Sequence, residues 1–587
     1  MSGGPPTRDA CIFDLAIIGA GIYGIQAART YLELHPYDKV IVFEGSGDVG
    51  GVWSSERVYD AFWTQTPLGI LEFSDMPLEG VPDHDTYHGF FPAKYVAEYL
   101  KSYVESRIYG GQTLASRIRS HSQVEVLSKV DEGWTLHVKN STDSAVADTE
   151  LGARKVIDAT GLTSTPNVPS IPGQDNYQGQ FLHHKGFALH QASLFSATGP
   201  QRIAVIGGAK SAADVAYACA KAGKDVTWII RRSGAGPAAF VSAKGSWPYN
   251  NSNESFYTRL TSHFLVSWFF DESKTRLGRF LYGTGLGRAF IGWVWKAISR
   301  KASGLANYDR EDGRKNGFHN LRPDTEIFWQ NDSTGVCQRD DFFDTIARKV
   351  KVYREDIKEM NAHGLELADG TIASADCVIF ATGWKTSHPR IKVQEDGQNL
   401  TLSLGLSVSE PQASEASNNW EELISSASKQ ILARFPVLQH RPRYHDGPDN
   451  KAPLRLYKGV LPINDRSIAF VGQMLSGNNF RIAEVQALYA VAALDGVLLL
   501  PSKEHMRTTV AETIAWNRAR YLSKGRHGNW LYWDMVPYTD DLLQELGLHS
   551  HRHTSYWKDL LMPCFARDLV GLIEEHRAKT LRARKFQ

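Results

Sequence analysis

The sequence predicts an α/β fold containing two strand–turn–helix units, and three stretches carry this prediction. The first unit, FDLAIIGAGIYGIQAARTYLEL, places a buried apolar strand before a glycine-rich turn and a helix. The second, RIAVIGGAKSAADVAYACAKAG, repeats this order near the middle of the chain. Two similar strand exits, KVIDATG and DCVIFATG, indicate that the chain leaves the first unit, forms the second and then returns.

The turn of the first unit fits the pattern G-x-G-x-x-G at Gly19, Gly21 and Gly24. These glycines permit the tight turn, the close approach of the backbone to a pyrophosphate and the packing of helix on strand. The N-terminus of the helix favours phosphate groups. The next strand ends at Glu44, whose carboxylate can bind ribose hydroxyls and would repel a 2′-phosphate. We therefore expect FAD or NAD here, rather than a glycine turn that binds nothing.

The second unit is a variant of the same pattern. Gly207 opens its turn, whereas Ala209 and Ala212 occupy the places of two glycines and keep them small. Lys210 lies in the turn, where it could face a phosphate, and Ser211 begins the helix.

The strand that follows decides which nucleotide the second unit prefers. VTWII ends at Arg231 and Arg232, in the place that Glu44 has in the first unit. Guanidinium groups match a 2′-phosphate in charge and geometry, which predicts NADPH. The alternative is a pair of surface arginines with no ligand. Together the two units predict a flavoprotein that takes a hydride from NADPH.

The strand exits Thr160-Gly161 and Thr382-Gly383 mark the passages between the two units, and the proline-rich TPNVPSIPG is typical of a linker. The sequence thus predicts two Rossmann-like dinucleotide-binding domains, with the NADPH domain inserted into the FAD domain. The predicted parts are 1–165 (FAD domain, first part), 166–378 (NADPH domain), 379–500 (FAD domain, second part) and 501–587 (helical C-terminal cap).

Composition favours small-molecule chemistry. The formal net charge of +1 over 587 residues gives no general attraction for nucleic acid or anionic membranes. The five cysteines include no CxxC, which argues against a disulfide framework, a zinc site or a dithiol centre. The sequence shows no signal peptide and no membrane-spanning stretch, so we expect a cytoplasmic protein. Oligomeric state is not predicted.

Histidines near the C-terminal end of the chain suggest a metal site, but no cysteine or carboxylate completes a ligand pattern. Solvated loop histidines are the preferred interpretation, and we predict no metal. The residues concerned are His440, His445, His549, His551 and His553.

The ordered motifs resemble those of flavin-containing monooxygenases, which are related to N-hydroxylases and Baeyer–Villiger monooxygenases. The similar stretches are GAGIYG, GGVW, YDAFWTQTPLGILEFSDMP, FPAKYVAEYL, DATG, YQGQFLHHKGF, the arginine-tipped second unit and ATGW. They cover about residues 12–235 and 340–495, and GPAAF is similar to fungal members. The resemblance implies that NADPH reduces FAD and that a flavin C4a hydroperoxide, shielded by NADP⁺, transfers one oxygen atom from O₂ to a small organic substrate, for example in secondary metabolism.

The resemblance also implies roles for single residues near the flavin. Gly51 and Trp53 would lie beside it, and the family's Thr-Asn pair falls on Thr64 and Gln65. Gln65 replaces the asparagine expected near the hydroperoxide, which leaves N- or S-oxygenation, hydroxylation and Baeyer–Villiger oxidation open. Glutamine can still donate and accept hydrogen bonds.

The family signature F-x-G-x-x-x-H-x-x-x-(F/Y) falls on Tyr177, Gly179, His183 and Phe187. Baeyer–Villiger members usually end it with Trp followed by Pro or Asp, whereas Phe187-Ala188 stand here. We expect His183 to organise the domains and NADP⁺ by hydrogen bonding. Direct proton transfer by His183 and simple packing are the alternatives.

Residues of about 240–330 have no counterpart in the family and predict a helical insertion. It could be core packing or an added subdomain, a substrate-access lid or a peripheral membrane contact. Two rival functions also stay open. A flavin disulfide reductase would need a cysteine pair near the flavin, which Cys11 alone cannot supply, and a non-catalytic flavoprotein would keep only the fold.

Overall fold

The computed structural model describes residues 12–143, 145–329, 331, 334–385, 391–406, 415–444 and 452–585. Cys11 and His445 lie outside them. The strands are β1 Ile12–Ile18, β2 Val40–Phe43, β3 Ile108–Tyr109, β4 Gln112–Thr113, β5 Ile118–Arg119, β6 Ser122–Val130, β7 Gly133–Asn140, β8 Thr149–Asp158, β9 Gln180–His183, β10 Arg202–Ile206, β11 Asp225–Ile230, β12 Ala239–Ser242, β13 Thr334–Cys337, β14 Val350–Arg354, β15 Ile357–Asn361, β16 Gly364–Leu367, β17 Ile372–Ser374, β18 Cys377–Phe380, β19 Lys392–Glu395, β20 Gln398–Asn399 and β21 Ile468–Phe470. The helices are α1 Ile22–Leu34, α2 Lys94–Ser106, α3 Phe187–Phe195, α4 Lys210–Lys221, α5 Ser252–Phe256, α6 Arg259–Ser262, α7 Arg276–Gly283, α8 Gly285–Ala306, α9 Glu311–Arg314, α10 Phe342–Lys349, α11 Glu415–Arg434, α12 Asn479–Leu494, α13 Lys503–Arg520, α14 Met535–Glu545, α15 Tyr556–Leu561 and α16 Leu572–Lys585.

The first sheet holds the N-terminal unit. Its strand order is β20-β19-β6-β7-β8-β1-β2-β5, and β21 pairs with the end of β8. β1 lies parallel to β2 and to β8, so their carboxyl ends meet at one edge of the sheet. Residues 15–18 of β1 and the whole of β2 are buried apolar runs, as expected for strands covered on both faces.

The second sheet is parallel throughout, in the order β14-β11-β10-β18-β9. Side chains from α4 and α10 form the core on one face. The small antiparallel sheet β15–β17 contributes to the core on the other face. The two sheets confirm the predicted α/β fold with one nucleotide unit inserted into the other. The strand β18 still belongs to the second sheet, so the chain returns to the first unit after Phe380, slightly beyond the predicted boundary at 378.

The two passages between the units run side by side. The Asn167 N–H donates to the Gly383 carbonyl at 3.0 Å, and the Lys385 N–H donates to the Thr165 carbonyl at 2.9 Å. The Thr382 hydroxyl adds a hydrogen bond to the Asn167 carbonyl. Backbone N–H and carbonyl groups of each passage are therefore hydrogen-bonded to the other passage. The two passages together form a short two-stranded connection.

The predicted insertion lies between the parallel strands β12 and β13 and contains α5 to α9. Its inner side packs on the C-terminal helices: the rings of Trp295 and Trp533 meet edge to face at 5.3 Å, and Arg259 forms an ion pair with Asp540. Trp295 and Trp533 belong to the same core cluster as the first sheet, so the insertion packs on the C-terminal cap and on the core of the first unit. The helices of the described chain include none that is long and apolar enough to cross a bilayer.

Gly24 provides a test of the close helix–strand contact in the first unit. A Cβ at this position would lie 1.8 Å from the Gly19 carbonyl oxygen, and a backbone atom cannot move aside cheaply. We expect Gly24→Ala to lower the free energy of unfolding by about 3 kcal/mol. Gly304→Ala, at an open position of α8, should instead stabilise the protein by about 0.5–1 kcal/mol. Thermal unfolding of both variants checks this, and equal midpoints would contradict it.

Candidate active site

The first glycine turn has the geometry of a phosphate-binding turn. Gly19 has a φ of +101°, a conformation that suits glycine. Helix α1 begins after Gly21 without a capping side chain, which leaves its first N–H groups for a ligand. Glu44 lies at the end of β2, and its carboxylate accepts the Ala20 N–H at 2.8 Å and the Ser46 N–H at 2.9 Å. The carboxylate is thus fixed beside the turn.

The segment after β2 returns to the same turn. Gly50 pairs with Gly21 in an isolated backbone bridge, and a Cβ on Gly51 would lie 3.2 Å from the Gly21 Cα. The Trp53 ring stacks on Phe62 at 5.5 Å. The predicted flavin-side residues Gly51 and Trp53 therefore lie beside the glycine turn.

Gln65 lies where the two units meet. Its Oε1 accepts the Val336 N–H of β13 at 2.7 Å, and its own carbonyl accepts a hydrogen bond from Asn253 in α5 at 2.6 Å. Its Nε2 is buried and has no hydrogen-bond partner among the described residues. Thr64 precedes it and is anchored to Phe91 through both its N–H and its hydroxyl. A buried donor without a partner fits a site that a bound group completes.

The second glycine turn resembles the first in its backbone. Gly207 has a φ of +143°, and α4 begins after Ala209 without a side-chain cap, with Ser211 in its first turn. Arg231 and Arg232 follow β11 directly and are exposed. Arg232 approaches Glu355 at 3.6 Å, and the described chain gives Arg231 no ion pair. Both guanidinium groups are thus accessible to an anionic ligand.

Lys210 follows the second glycine turn and forms an ion pair within its own helix. It is the first residue of α4, and its ammonium forms an ion pair with Asp214 one turn along the same helix. Both side chains are nearly inaccessible to solvent, and burial lowers the pKa of Lys210. The ammonium points into the protein toward Asp214. The i, i+4 spacing of Lys and Asp was visible in the sequence and could have indicated this pair.

His183 ends β9 and connects the domains. Its Nε2 lies 2.9 Å from the Gly383 carbonyl, and its Nδ1 accepts the Lys185 N–H at 3.2 Å. Since a carbonyl only accepts, Nε2 carries the proton. Burial lowers the pKa of His183 and lowers that of the neighbouring His184 to about 3. Both imidazoles are therefore neutral near pH 7, and Trp384 packs against both rings edge to face.

The strand exits that the sequence singled out lie at the passages between the units. Thr160 donates to Asp158 through its N–H and its hydroxyl, and Gly161 and Gly383 both have positive φ. Sequence reasoning missed Arg57, which donates to the Thr163 carbonyl at 3.2 Å. Its guanidinium also lies 4.8 Å from the centre of the Trp384 ring, and burial lowers its pKa to about 10.

The cysteines and histidines that the sequence singled out have the following surroundings in the described chain. The cysteines that the structure describes are free and buried, and burial raises the pKa of each thiol. Within the same ranges, no three histidine, cysteine or acidic side chains gather as metal ligands would. His551 and His553 instead pair with Asp559 and Asp568.

Comparisons with known proteins agree with this geometry. Residues 16–244 match the family model described as pyridine nucleotide-disulphide oxidoreductase. The FAD-dependent monooxygenase resA of Aspergillus sclerotiorum is 30% identical, over 96% of this chain and 98% of its own. An FAD-dependent monooxygenase of Pyrenophora dematioidea is 31% identical, over 92% of this chain and 99% of its own. The chain belongs to the FAD-dependent monooxygenase family.

The predicted family is thereby confirmed, and with it the prediction of an oxidoreductase; both relatives come from fungi. Among solved structures, cyclohexanone monooxygenase from Rhodococcus sp. Phi1 bound to NADP⁺ is similar, with a TM-score of 0.59. It is 17% identical, and the match covers 92% of this chain and 97% of that one. This likeness shows that the chain described here has the same fold as cyclohexanone monooxygenase.

The unpartnered amide of Gln65 gives a prediction about flavin retention. Gln65→Leu removes the buried donor, so we expect the Kd for FAD to rise about tenfold, the equivalent of one hydrogen bond. Gln338→Leu is the matched control, because Gln338 contacts the same segment through the Thr64 carbonyl at 2.8 Å. Fluorescence titration of the apoprotein with FAD measures both values. An equal change in the two variants would mean that Gln65 is only structural.

His184 gives a prediction about pH. An unfolded histidine titrates near about pH 6.5, whereas His184 in the folded chain has a pKa of about 3. Below 6.5 the unfolded chain binds a proton that the folded chain excludes, so stability falls as pH decreases toward 3. The free energy of unfolding of the wild type should fall between about pH 7 and about pH 5. In His184→Gln this fall should be smaller by about 1–2 kcal/mol, because the titrating imidazole is gone.

Urea unfolding at both pH values measures this difference. The exposed His84 supplies the control, because His84→Gln should lose as much stability as the wild type. If His184→Gln and the wild type lose the same stability, His184 is not the buried neutral group that the structure shows.

Proposed function

We propose that this monooxygenase uses FAD and NADPH to insert one oxygen atom from O₂ into a small organic substrate. The reaction class we propose is N- or S-oxygenation or hydroxylation, in secondary metabolism. One observation carries the proposal: a carboxylate-lined and an arginine-lined glycine turn each follow a strand that lies between parallel neighbours, in two units that two paired passages connect. The similar cyclohexanone monooxygenase was solved bound to NADP⁺, which supports the choice of nicotinamide nucleotide.

The first unit would hold FAD. Glu44 is fixed beside the turn, where it can bind ribose hydroxyls, and the uncapped start of α1 supplies N–H groups for the pyrophosphate. Gly51 and Trp53 border the same turn, and the free Nε2 of Gln65 offers a donor. When bound and reduced, the flavin supplies the activation of O₂.

The second unit would hold NADPH. Gly207 and the start of α4 would receive the pyrophosphate, with the Ser211 N–H in the first turn. The exposed Arg231 and Arg232 suit a 2′-phosphate. Lys210 would act indirectly, since its ammonium is paired with Asp214 and fixes the start of the helix.

His183 would position the nucleotide-binding loops rather than transfer a proton. Its Nε2–H is bound to the Gly383 carbonyl, and its Nδ1 is occupied by the Lys185 N–H. Neither nitrogen can exchange a proton without losing one of these hydrogen bonds. The imidazole thereby fixes the loop that contains Thr382 and Gly383 against β9.

The substrate would meet the loop 472–478, which follows β21. This loop contacts the insertion through Tyr257, whose hydroxyl donates to the Gly477 carbonyl at 2.9 Å. It contacts the cap through a backbone bridge between Leu475 and Trp530. The Tyr532 ring stacks near Trp530, so the surroundings of this loop are aromatic. Such a lining favours an organic substrate with apolar surface.

Baeyer–Villiger oxidation of a ketone is the alternative reaction. The similar cyclohexanone monooxygenase supports only a common fold at 17% identity. Phe187, which stands where Baeyer–Villiger members have tryptophan, is buried and packs edge to face on Tyr59 at 4.9 Å. A disulfide reductase is less well supported, because the described cysteines are buried free thiols and three of them lie in the core of the second unit.

Anaerobic reduction tests the proposal. NADPH should bleach the yellow flavin when air is excluded, and labelled O₂ admitted with substrate should place one labelled atom in the product. Arg231→Ala with Arg232→Ala should raise the KM for NADPH at least about tenfold, because a charged hydrogen bond to the 2′-phosphate is lost, and leave the KM for NADH unchanged.

Arg441→Ala with Arg443→Ala is the matched control, since this exposed arginine pair lies elsewhere in the chain and should leave both KM values unchanged. A flavin that NADPH does not bleach would favour a non-catalytic flavoprotein. Equal effects of the Arg231 and Arg232 changes on NADPH and NADH would disprove the assignment to the 2′-phosphate.

A further inference from the structure

Helix α8 carries apolar side chains on two opposite faces. Ile291 and Trp295 are buried on its inner face. Leu286, Phe290 and Trp293 lie on the opposite face and are 78%, 46% and 59% exposed. Their spacing of four and three residues places them in one line along the helix, and we call them the outer stripe. A surface helix normally has polar residues on the face that this stripe occupies.

The outer stripe contributes one described ring contact to holding α8 in place, that of Phe290 edge to face on Phe264 at 6.0 Å. The buried inner face supplies the main anchor, since the Trp295 indole donates to the Phe264 carbonyl at 2.8 Å and its ring packs on Trp533. Within the stripe, the Phe290 and Trp293 rings stack on each other at 5.7 Å and remain open to solvent. The chain thus exposes a preformed aromatic surface on a helix that is already anchored.

Positive charge surrounds the outer stripe. Between Ser273 and Tyr308 the sequence has seven basic residues and no acidic one, although the whole chain has a formal net charge of only +1. Of the seven, Lys274 alone has a described carboxylate within 4.0 Å, that of Asp271. The basic residues are Lys274, Arg276, Arg279, Arg288, Lys296, Arg300 and Lys301.

A neighbouring loop extends the same surface. The Lys301 ammonium lies 3.3 Å from the Ser246 hydroxyl, which brings the loop before α5 to the C-terminal half of α8. The next residue, Trp247, is 95% exposed. In α7, Phe280 is 46% exposed and follows the exposed Arg276 and Arg279 of the same helix.

We propose that α7 and α8, together with Trp247, dock on the surface of an anionic lipid bilayer. A helix with exposed Trp, Phe and Leu beside Lys and Arg suits the boundary between headgroups and acyl chains, where it lies parallel to the membrane. The aromatic rings would enter this boundary, and the cations would face anionic headgroups. No described helix could span the bilayer, which agrees with surface binding.

Charge distinguishes this partner from a second copy of the chain. Two copies meeting through α8 would place their basic residues against each other, which opposes association. An anionic surface removes this repulsion and covers the outer stripe. The proposal concerns α7 and α8 alone, so it does not depend on the reaction proposed above.

Cosedimentation of the full-length holoprotein with vesicles tests the proposal. The protein should pellet with vesicles of phosphatidylcholine and phosphatidylserine, should not pellet with phosphatidylcholine alone, and should be released by salt. Phe290→Ser with Trp293→Ser should weaken binding at least about tenfold. Lys296→Gln, Arg300→Gln and Lys301→Gln together should weaken it about a hundredfold, since each cation near the surface contributes about fivefold.

Matched controls use exposed residues elsewhere in the chain. Tyr37→Ser with Leu499→Ser removes two apolar side chains that are 88% and 95% exposed, and should leave binding unchanged. Lys101→Gln, Lys349→Gln and Lys429→Gln together remove three exposed cations and should do the same. Unchanged thermal midpoints and flavin absorbance show that each variant is folded.

Three results would overturn the proposal. The first is a wild-type protein that ignores anionic vesicles. The second is binding that survives both sets of changes in α8. The third is self-association, measured without vesicles and abolished by Phe290→Ser with Trp293→Ser, in a protein that does not bind lipid, because the outer stripe would then contact a second copy.

Discussion

The pairing of the two interdomain passages is the constraint on which the rest of the structure depends. The Asn167 N–H donates to the Gly383 carbonyl, and this backbone hydrogen bond keeps the outgoing and returning chains together. His183 adds its Nε2–H to the same Gly383 carbonyl, and Arg57 covers Trp384 from the side of the first unit. Both nucleotide turns lie beside the start of a passage, Gly19 at Ala159 and Gly207 at Ala381, so these hydrogen bonds help to set the distance between the turns.

Local patterns explain why the sequence predicted the two glycine turns and their acidic and basic strand ends. A tight turn at Gly19 or Gly207 is specified by the residues next to it, and a strand followed by Glu44 or Arg231 requires no knowledge of distant chain. The insertion of one unit into the other could also be predicted from the sequence, because the Ala-Thr-Gly strand exit occurs once before the second unit and once after it. These features need only short-range information, which one sequence contains.

Contacts between residues that lie far apart in the sequence could not be predicted from local patterns. His183 binds a carbonyl 200 residues away, and Gln65 binds a backbone N–H at a separation of 271 residues. The insertion was predicted as helical, but its inner side packs on the C-terminal cap, which no local pattern specifies. The contact of Lys210 is local by comparison: the turn predicted a phosphate contact, and the i, i+4 spacing also offered Asp214, with which its ammonium is paired.

The glutamine at position 65 follows from this long-range arrangement. The resemblance described above implies an asparagine at this position, one methylene shorter. In this chain the longer side chain lets Oε1 reach the Val336 N–H of β13 while the Gln65 carbonyl binds Asn253 of the insertion. The amide orientation is then fixed, because Oε1 accepts from the backbone and Nε2 must face the other way. The substitution therefore keeps a free donor at the junction of the units and also ties the first unit to the strands that frame the insertion.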